Sequence, residues 1–300
     1  MAPSMSSPSS EAGALVAVVR AGAVDAGAVR GGGVCAAAVA HTRVAATPKE
    51  LDRVGLTGHA RYRLAVPGDK GALRTRGRRR TTGRAMKLPL DFVPPAVTLD
   101  PARFVPVIAL PAGYDVYDFT AGYDPDRPRG LWGVGRYDER RRDMYTAALF
   151  AGESPRDVHV GVDIAAPVGE PVRAFAAGWV EHRGYNPAPG DYGYVVVTGH
   201  TVAEGVTLWA LHGHLGAATM GLRAPGERFA AGDTLGYVGD RYENGGWNPH
   251  LHFQLSWLRP DTHDLPGAVT VADRAAALRV FPDPRRVLGP LYPGDGAFGL

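Results

Sequence analysis

Cysteine is all but absent from this sequence of 300 residues: Cys35 is the single one. A disulfide framework and four-cysteine zinc or iron–sulfur centres are thereby excluded. Long apolar runs are missing as well. The best of them, residues 12–19, is far too short to span a bilayer. It follows Glu11 with no Lys or Arg ahead of it, which makes a poor secretory signal. Arg79-Arg80 is followed by Thr81-Thr82-Gly83-Arg84, where a twin-arginine signal needs an apolar stretch. What remains is ordinary in bulk. Apolar residues make up 45% and charged residues 21%, which excludes a wholly disordered chain, a collagen and a polytopic membrane protein. Gly at 40 positions and Pro at 25 favour turns and short strands over long helices.

The pI of about 9.0 invites a nucleic-acid reading, but the charge is unevenly placed. Residues 1–87 carry 15 Lys+Arg against 5 Asp+Glu, a formal +10, and include all three lysines, Lys49, Lys70 and Lys87. Residues 88–300 carry 18 against 25, a formal −7, and the two parts together make the net +3. The basic run 74–84 has no interleaved aromatics to stack on bases, so no nucleic-acid partner is expected. Residues 1–87 read as a low-complexity, disordered basic leader or as an upstream extension of a chain that starts at Met86. Residues 88–150, rich in proline and tyrosine, read as an extended arm packed on a β domain over 151–262. Residues 263–300 then form a C-terminal extension, with one short helix expected over 272–280.

From about Val172 onward, short alternating or β-branched runs lie between turn signals. They predict strands over 171–175, 178–183, 192–198, 206–215, 234–238 and 250–257. No regular alternation with amphipathic helices occurs, so a mainly β, antiparallel sheet is expected over a doubly wound parallel one. A weak echo joins residues 169–178 with residues 226–232, as if one turn-and-hairpin unit occurred twice.

The chemistry lies in the histidines. His159-Val-Gly-Val-Asp163 sets a carboxylate four residues after an imidazole, a spacing that is weak alone. His250-Leu-His252 is stronger. On a strand these residues project to one face, while Leu251 and Phe253 face the other. His212-Gly-His214 repeats the i, i+2 spacing. Neutral imidazole and carboxylate are the usual ligands of zinc, and a catalytic zinc keeps three protein ligands plus a water. Two histidines and one aspartate would supply the three, and spare histidines could handle the proton.

The order His159-x-Gly-x-Asp163-Ile-Ala-Ala-Pro167, Gly169, Pro171-Val172, His214-Leu215 and Pro249-His-Leu-His-Phe253 resembles the lysostaphin-type zinc metallopeptidases of the bacterial cell wall. The resemblance covers about residues 155–258. It implies a β-sandwich-like fold with a duplicated hybrid motif, one zinc ion per chain held by His159, Asp163 and His252, and catalytic, non-ligand roles for His214 and His250. It further implies an endopeptidase acting on peptidoglycan cross-links or stem peptides, at the cell envelope or outside it. The rival is a non-catalytic or regulatory zinc-binding module of the same fold with a non-cell-wall ligand. Such modules typically lack ligands, whereas every position is filled here. Two departures stand out. His212 occupies the place of a common tyrosine, where it either joins the site or fills a tyrosine-sized space, and Gln254 occupies that of a common glutamate; little effect is expected from Gln254, outside the ligand set.

Overall fold

All six predicted runs become strands, and the arm before them contributes more. The computed structural model describes residues 86–124, 130–152 and 154–293; the expected leader and the basic run 74–84 lie outside the described residues. In chain order the strands are β1 (Asp115–Val116), β2 (Gly133–Gly135), β3 (Glu139–Arg140), β4 (Val158–His159) and β5 (Val162–Ala165). There follow β6 (Pro171–Arg173), β7 (Gly178–Asn186), β8 (Gly193–Ala203) and β9 (Val206–Leu215). The last are β10 (Arg228–Phe229), β11 (Thr234–Tyr237), β12 (His250–Ser256) and β13 (Ala268–Val269). The expected helix forms as α1 (Arg274–Val280), and α2 (Arg285–Leu288) comes after it. No helix among the described residues is long and apolar enough to cross a membrane.

Eight strands make one sheet in the order β1-β2-β5-β12-β9-β8-β7-β10. Its neighbours are antiparallel except β1 and β2, which run parallel. β11 pairs with β6, and β13-β4-β3 form a third, small sheet. The fold is therefore mainly β and antiparallel, as the strand runs predict. The internal echo is real in its turns. Gly169 and Gly226 both take positive φ, at 82° and 85°, and the next residue's N–H closes a turn onto the carbonyl three residues back. The strands that follow do not form local hairpins. β6 pairs with β11 and β10 with β7, so each unit completes the other.

Side-chain alternation gives the large sheet two buried faces, since successive residues of a strand point to opposite sides. Val162 and Ile164 of β5, Leu251, Phe253 and Leu255 of β12, Leu208 and Ala210 of β9 and Val196 of β8 share one core. Val195 and Val197 of β8, Leu211 of β9, and Ala277 and Val280 of α1 share the other. Asp163, His250 and His252 belong to this second face by alternation. The arm is tied down at several points: Tyr137 Oη donates to the Phe281 carbonyl at 2.7 Å, and Tyr114 Oη to that of Leu291 at 3.0 Å.

His200 and His212 are fully buried on the first face. His200 Nδ1–H donates to the Ala177 carbonyl, which leaves Nε2 to accept from Thr198 Oγ1 at 2.8 Å. His212 Nδ1–H donates to the Val196 carbonyl at 3.3 Å, and its Nε2 has no partner among the described residues. Burial drives the His212 pKa down to about 4. An unfolded histidine titrates near 6.5, so between pH ~6.5 and ~4 the unfolded chain binds a proton that the folded chain refuses. This contribution to stability is full above pH 6.5 and lost as pH falls toward 4. His212→Leu is expected to reduce the loss of stability between pH 7 and pH 4 by about 3 kcal/mol, from ~1.4 kcal/mol per pKa unit. Urea unfolding of both proteins at pH 7, 5.5 and 4 measures it, and parallel curves would refute it.

Candidate metal centre

Three strands bring the site together. In the β5–β12 register His252 lies opposite Asp163, so the two side chains are cross-strand neighbours on one face. His159 ends β4, and the chain turns through Gly161 into β5. A Cβ on Gly161 would stand 2.5 Å from the His252 ring. The glycine between His159 and Asp163 is thus a steric requirement of the third residue's ring. His159 Nε2 lies 3.2 Å from Asp163 Oδ1 and 3.1 Å from His252 Nδ1, and His252 Nδ1 lies 2.9 Å from Asp163 Oδ1. Among the described residues this is the one group of three His, Cys, Asp or Glu side chains close enough to hold a metal ion.

The outer contacts fix the protonation of each ring. His159 Nδ1–H donates to the Arg136 carbonyl at 2.8 Å. Gln254 Nε2 donates to the Pro266 carbonyl, which orients the amide so that its Oε1 accepts from His252 Nε2–H at 3.1 Å. Both inward nitrogens therefore carry lone pairs in the neutral rings. Burial drives the His159 pKa down to about 4, with the Arg141 charge adding to the effect, so no proton sits there at neutral pH. For Asp163 burial pushes the pKa up, but His159 and Arg141 outweigh it and hold the carboxyl well below its usual range. Two lone pairs and a carboxylate oxygen about 3 Å apart repel unless a cation lies between them. The donor set of imidazoles and one carboxylate suits zinc.

Two further histidines flank this group. The His214 and His250 ring centroids are 4.3 Å apart, and His250 Nε2 lies 3.8 Å from Asp163 Oδ1. His214 Nδ1–H donates to the Asn244 carbonyl at 2.8 Å, and His250 Nδ1–H to that of Asn248 at 2.7 Å. The loop carrying both carbonyls is pinned by the buried Asn244 side chain, whose Oδ1 accepts from the Gly246 and Trp247 N–H groups and whose Nδ2 donates to the Trp247 carbonyl. Burial lowers the pKa of His214 well below its ordinary value, and the nearby His250 and His252 add to it; burial also lowers that of His250. Both rings are neutral near pH 7, with Nδ1–H committed and Nε2 a proton acceptor.

His212 does not join the site, although the i, i+2 spacing predicts one face for His212 and His214. The β8–β9 register shifts between Tyr194 and Val196, a bulge that sets two residues of β9 against one of β8. His214 takes φ 61° within it, an uncommon conformation for a residue with a side chain. Alternation breaks there. His212 stays on the first face against Phe253, at a ring separation of 5.3 Å, while His214 turns to the second. Gln254 is the opposite case. Little effect is expected of it from the sequence, yet it bonds directly to His252, and its i+4 position after His250 on the same strand is the signal that places it on the site face. Tyr192, with its ring 5.5 Å from His214 and 5.2 Å from His252, and Arg141, on Asp163, carry no such local signal.

Residues 157–263 match the sequence pattern of peptidase family M23. That segment belongs to peptidase family M23. Within the M23 segment lie all five predicted site residues, whereas Arg136, Glu139 and Arg141 lie before it. The chain is 36% identical over 124 residues to the DD-carboxypeptidase/endopeptidase Mpg of Neisseria meningitidis, covering 40% of this chain and 26% of that protein. It is 31% identical over 121 residues to the peptidoglycan DD-endopeptidase ShyC of Vibrio cholerae, covering 39% and 25%. The chain thus spans about a quarter of the length of the curated relatives it matches. Among solved structures it is similar to the catalytic domain of lysostaphin from Staphylococcus simulans, at 20% identity and a TM-score of 0.31 over 47% of this chain and 86% of that one.

Proposed function

We propose that this M23 domain is a zinc-dependent endopeptidase that hydrolyses peptide bonds in peptidoglycan cross-links or stem peptides. The observation that carries the reading is the convergence of three acceptor atoms, His159 Nε2, Asp163 Oδ1 and His252 Nδ1, beside two neutral imidazoles. Those three residues would hold one zinc ion, which supplies Lewis acidity and lowers the pKa of a water to about 7. The two flanking histidines handle the proton. His214 Nε2 takes it from the attacking water as general base, since Nδ1–H is already given to Asn244. His250 can donate to a developing oxyanion through Nε2 only when it holds a proton there, because its Nδ1–H is given to Asn248. Two rings this close disfavour a second charge, so the pair holds one proton at a time. Tyr145 and Trp247, with ring centroids 6.1 Å apart, wall the site beside His214 and would face the substrate peptide.

A non-catalytic module is disfavoured by the filled ligand set and the two ordered acceptor imidazoles. The assignment to peptidoglycan follows the names of the relatives, and such a substrate places the action of the protein at the cell envelope. Metal analysis of the purified protein is expected to give one zinc per chain. Incubation with isolated sacculi should convert cross-linked muropeptides to monomers, and a chelator should stop it. A protein that holds zinc yet leaves cross-links and stem peptides intact would overturn the endopeptidase assignment.

A further inference from the structure

Residues before the M23 segment also reach the candidate metal site. β2 pairs with β5 at Gly135 opposite Asp163, and β3 pairs with β4 at Glu139 opposite His159. The arm therefore lies against both strands that carry the first two ligands. Directly after β3 it sends in the Arg141 side chain, beside the buried Glu139. Arg141 is 1% exposed, and its guanidinium is engaged on every side. Nη1 donates to Asp163 Oδ2 at 2.5 Å and to Tyr145 Oη at 3.1 Å. Nε donates to Glu139 Oε2 at 2.9 Å, and Nη2 donates to the Arg136 carbonyl at 3.2 Å. Glu139 is itself fixed, its Oε1 accepting the Phe119 N–H at 3.0 Å. Gly135 makes room: a Cβ there would stand 2.8 Å from Arg141 Nη2 and 3.3 Å from Asp163 Oδ2.

We propose that Arg141 is a positioning residue of the metal centre: it occupies Asp163 Oδ2, which leaves Oδ1 as the oxygen that would meet a metal, and it holds the Arg136 carbonyl that orients His159. This inference rests on the zinc-site reading above. The geometry supports it in three ways. The oxygen that Arg141 takes is not the one 2.9 Å from His252 and 3.2 Å from His159. The carbonyl that it touches is the one that receives His159 Nδ1–H. A planar guanidinium can make these contacts at once, which a lysine ammonium, a single point charge, cannot. A buried charge of this kind is expensive to desolvate, and its pairing with Glu139 leaves the negative charge of Asp163 available to the metal.

Loss of such an outer contact typically weakens metal binding by about 10–100-fold. The test is the zinc affinity of the full chain, measured by competition with a chromophoric chelator, together with the rise in melting temperature that zinc produces. Arg141→Met is expected to weaken zinc binding by about 10–100-fold. Because that change strands the buried Glu139, the double variant Glu139→Gln/Arg141→Met is measured beside it, and it should show the same loss in a folded protein. Arg141→Lys, which keeps the charge, should lose about tenfold. Arg140→Met, which removes the neighbouring half-exposed contact to Asp157, should bind zinc as the unaltered protein does. A purely structural Arg141 would lower the melting temperature of the zinc-free variants and leave affinity unchanged. Folded variants with affinities within twofold of the unaltered chain would overturn the role of Arg141 alone. An unaltered chain without zinc affinity would overturn the metal centre and this role with it.

Discussion

Asp163→Ala is expected to empty the proposed zinc site and to bring the proposed peptidoglycan hydrolysis to background. Asp163 supplies the one anionic donor of the three, held ionised by His159 and Arg141 against the effect of burial. Without it two neutral imidazole nitrogens face each other at 3.1 Å, with nothing to offset the charge of a divalent cation. The change acts twice, because Arg141 loses its partner at Oδ2 and is left paired only with Glu139 in a buried setting. The guanidinium keeps Glu139 but loses its second carboxylate, so the zinc-free variant should also melt lower. Zinc content after dialysis at pH 7, read beside the melting curve, checks both effects. Retention of one zinc per chain would rule out Asp163 as a ligand.

His214→Ala is expected to lower turnover by about 10²–10⁴-fold while zinc content stays at one per chain. The ring contributes no ligand atom to the three-residue group, so its loss removes a proton acceptor and leaves the donors in place. The pH profile adds an independent check. Burial holds the His214 pKa well below 6.5. A base works in its unprotonated form, so activity should persist below pH 6.5 and fall only at lower pH, as the ring takes up a proton. That acid limb should be missing from the residual activity of His214→Ala. A variant with unaltered turnover would remove His214 from the reaction.

The M23 segment announces itself because its chemistry is local. His250 and His252 share β12, where the two-residue period puts them on one face, and His159 at the end of β4 stands only four residues before Asp163 on β5. The long strands β7, β8, β9 and β12 run seven to eleven residues and show their period over several alternations. β1 to β4 are only two or three residues long, too short for any period to be seen, and they exist because pairing partners meet them. The bulge at His214 is of the same kind. It adds one residue to one strand, and no pattern in His212-Gly-His214 signals that alternation stops there. Gln254 differs, because the rule that pairs His250 with His252 extends to it; it is undervalued only when the ligand set is taken as the whole site.

Residue types and alternation within single strands determined the mainly antiparallel β class, and the resemblance of the sequence to the lysostaphin-type peptidases picked out the five residues of the candidate centre. The tertiary structure decided the rest. It showed which ring nitrogen of each histidine faces inward, because that depends on carbonyls of Arg136, Asn244 and Asn248 and on the Gln254 amide. It separated His212 from His214, and it brought Arg141 from the arm onto Asp163, 22 residues along the chain. Burial supplied the remaining physics: the histidine pKa values fall because these rings are removed from water, a property of the packed sheet and not of any motif.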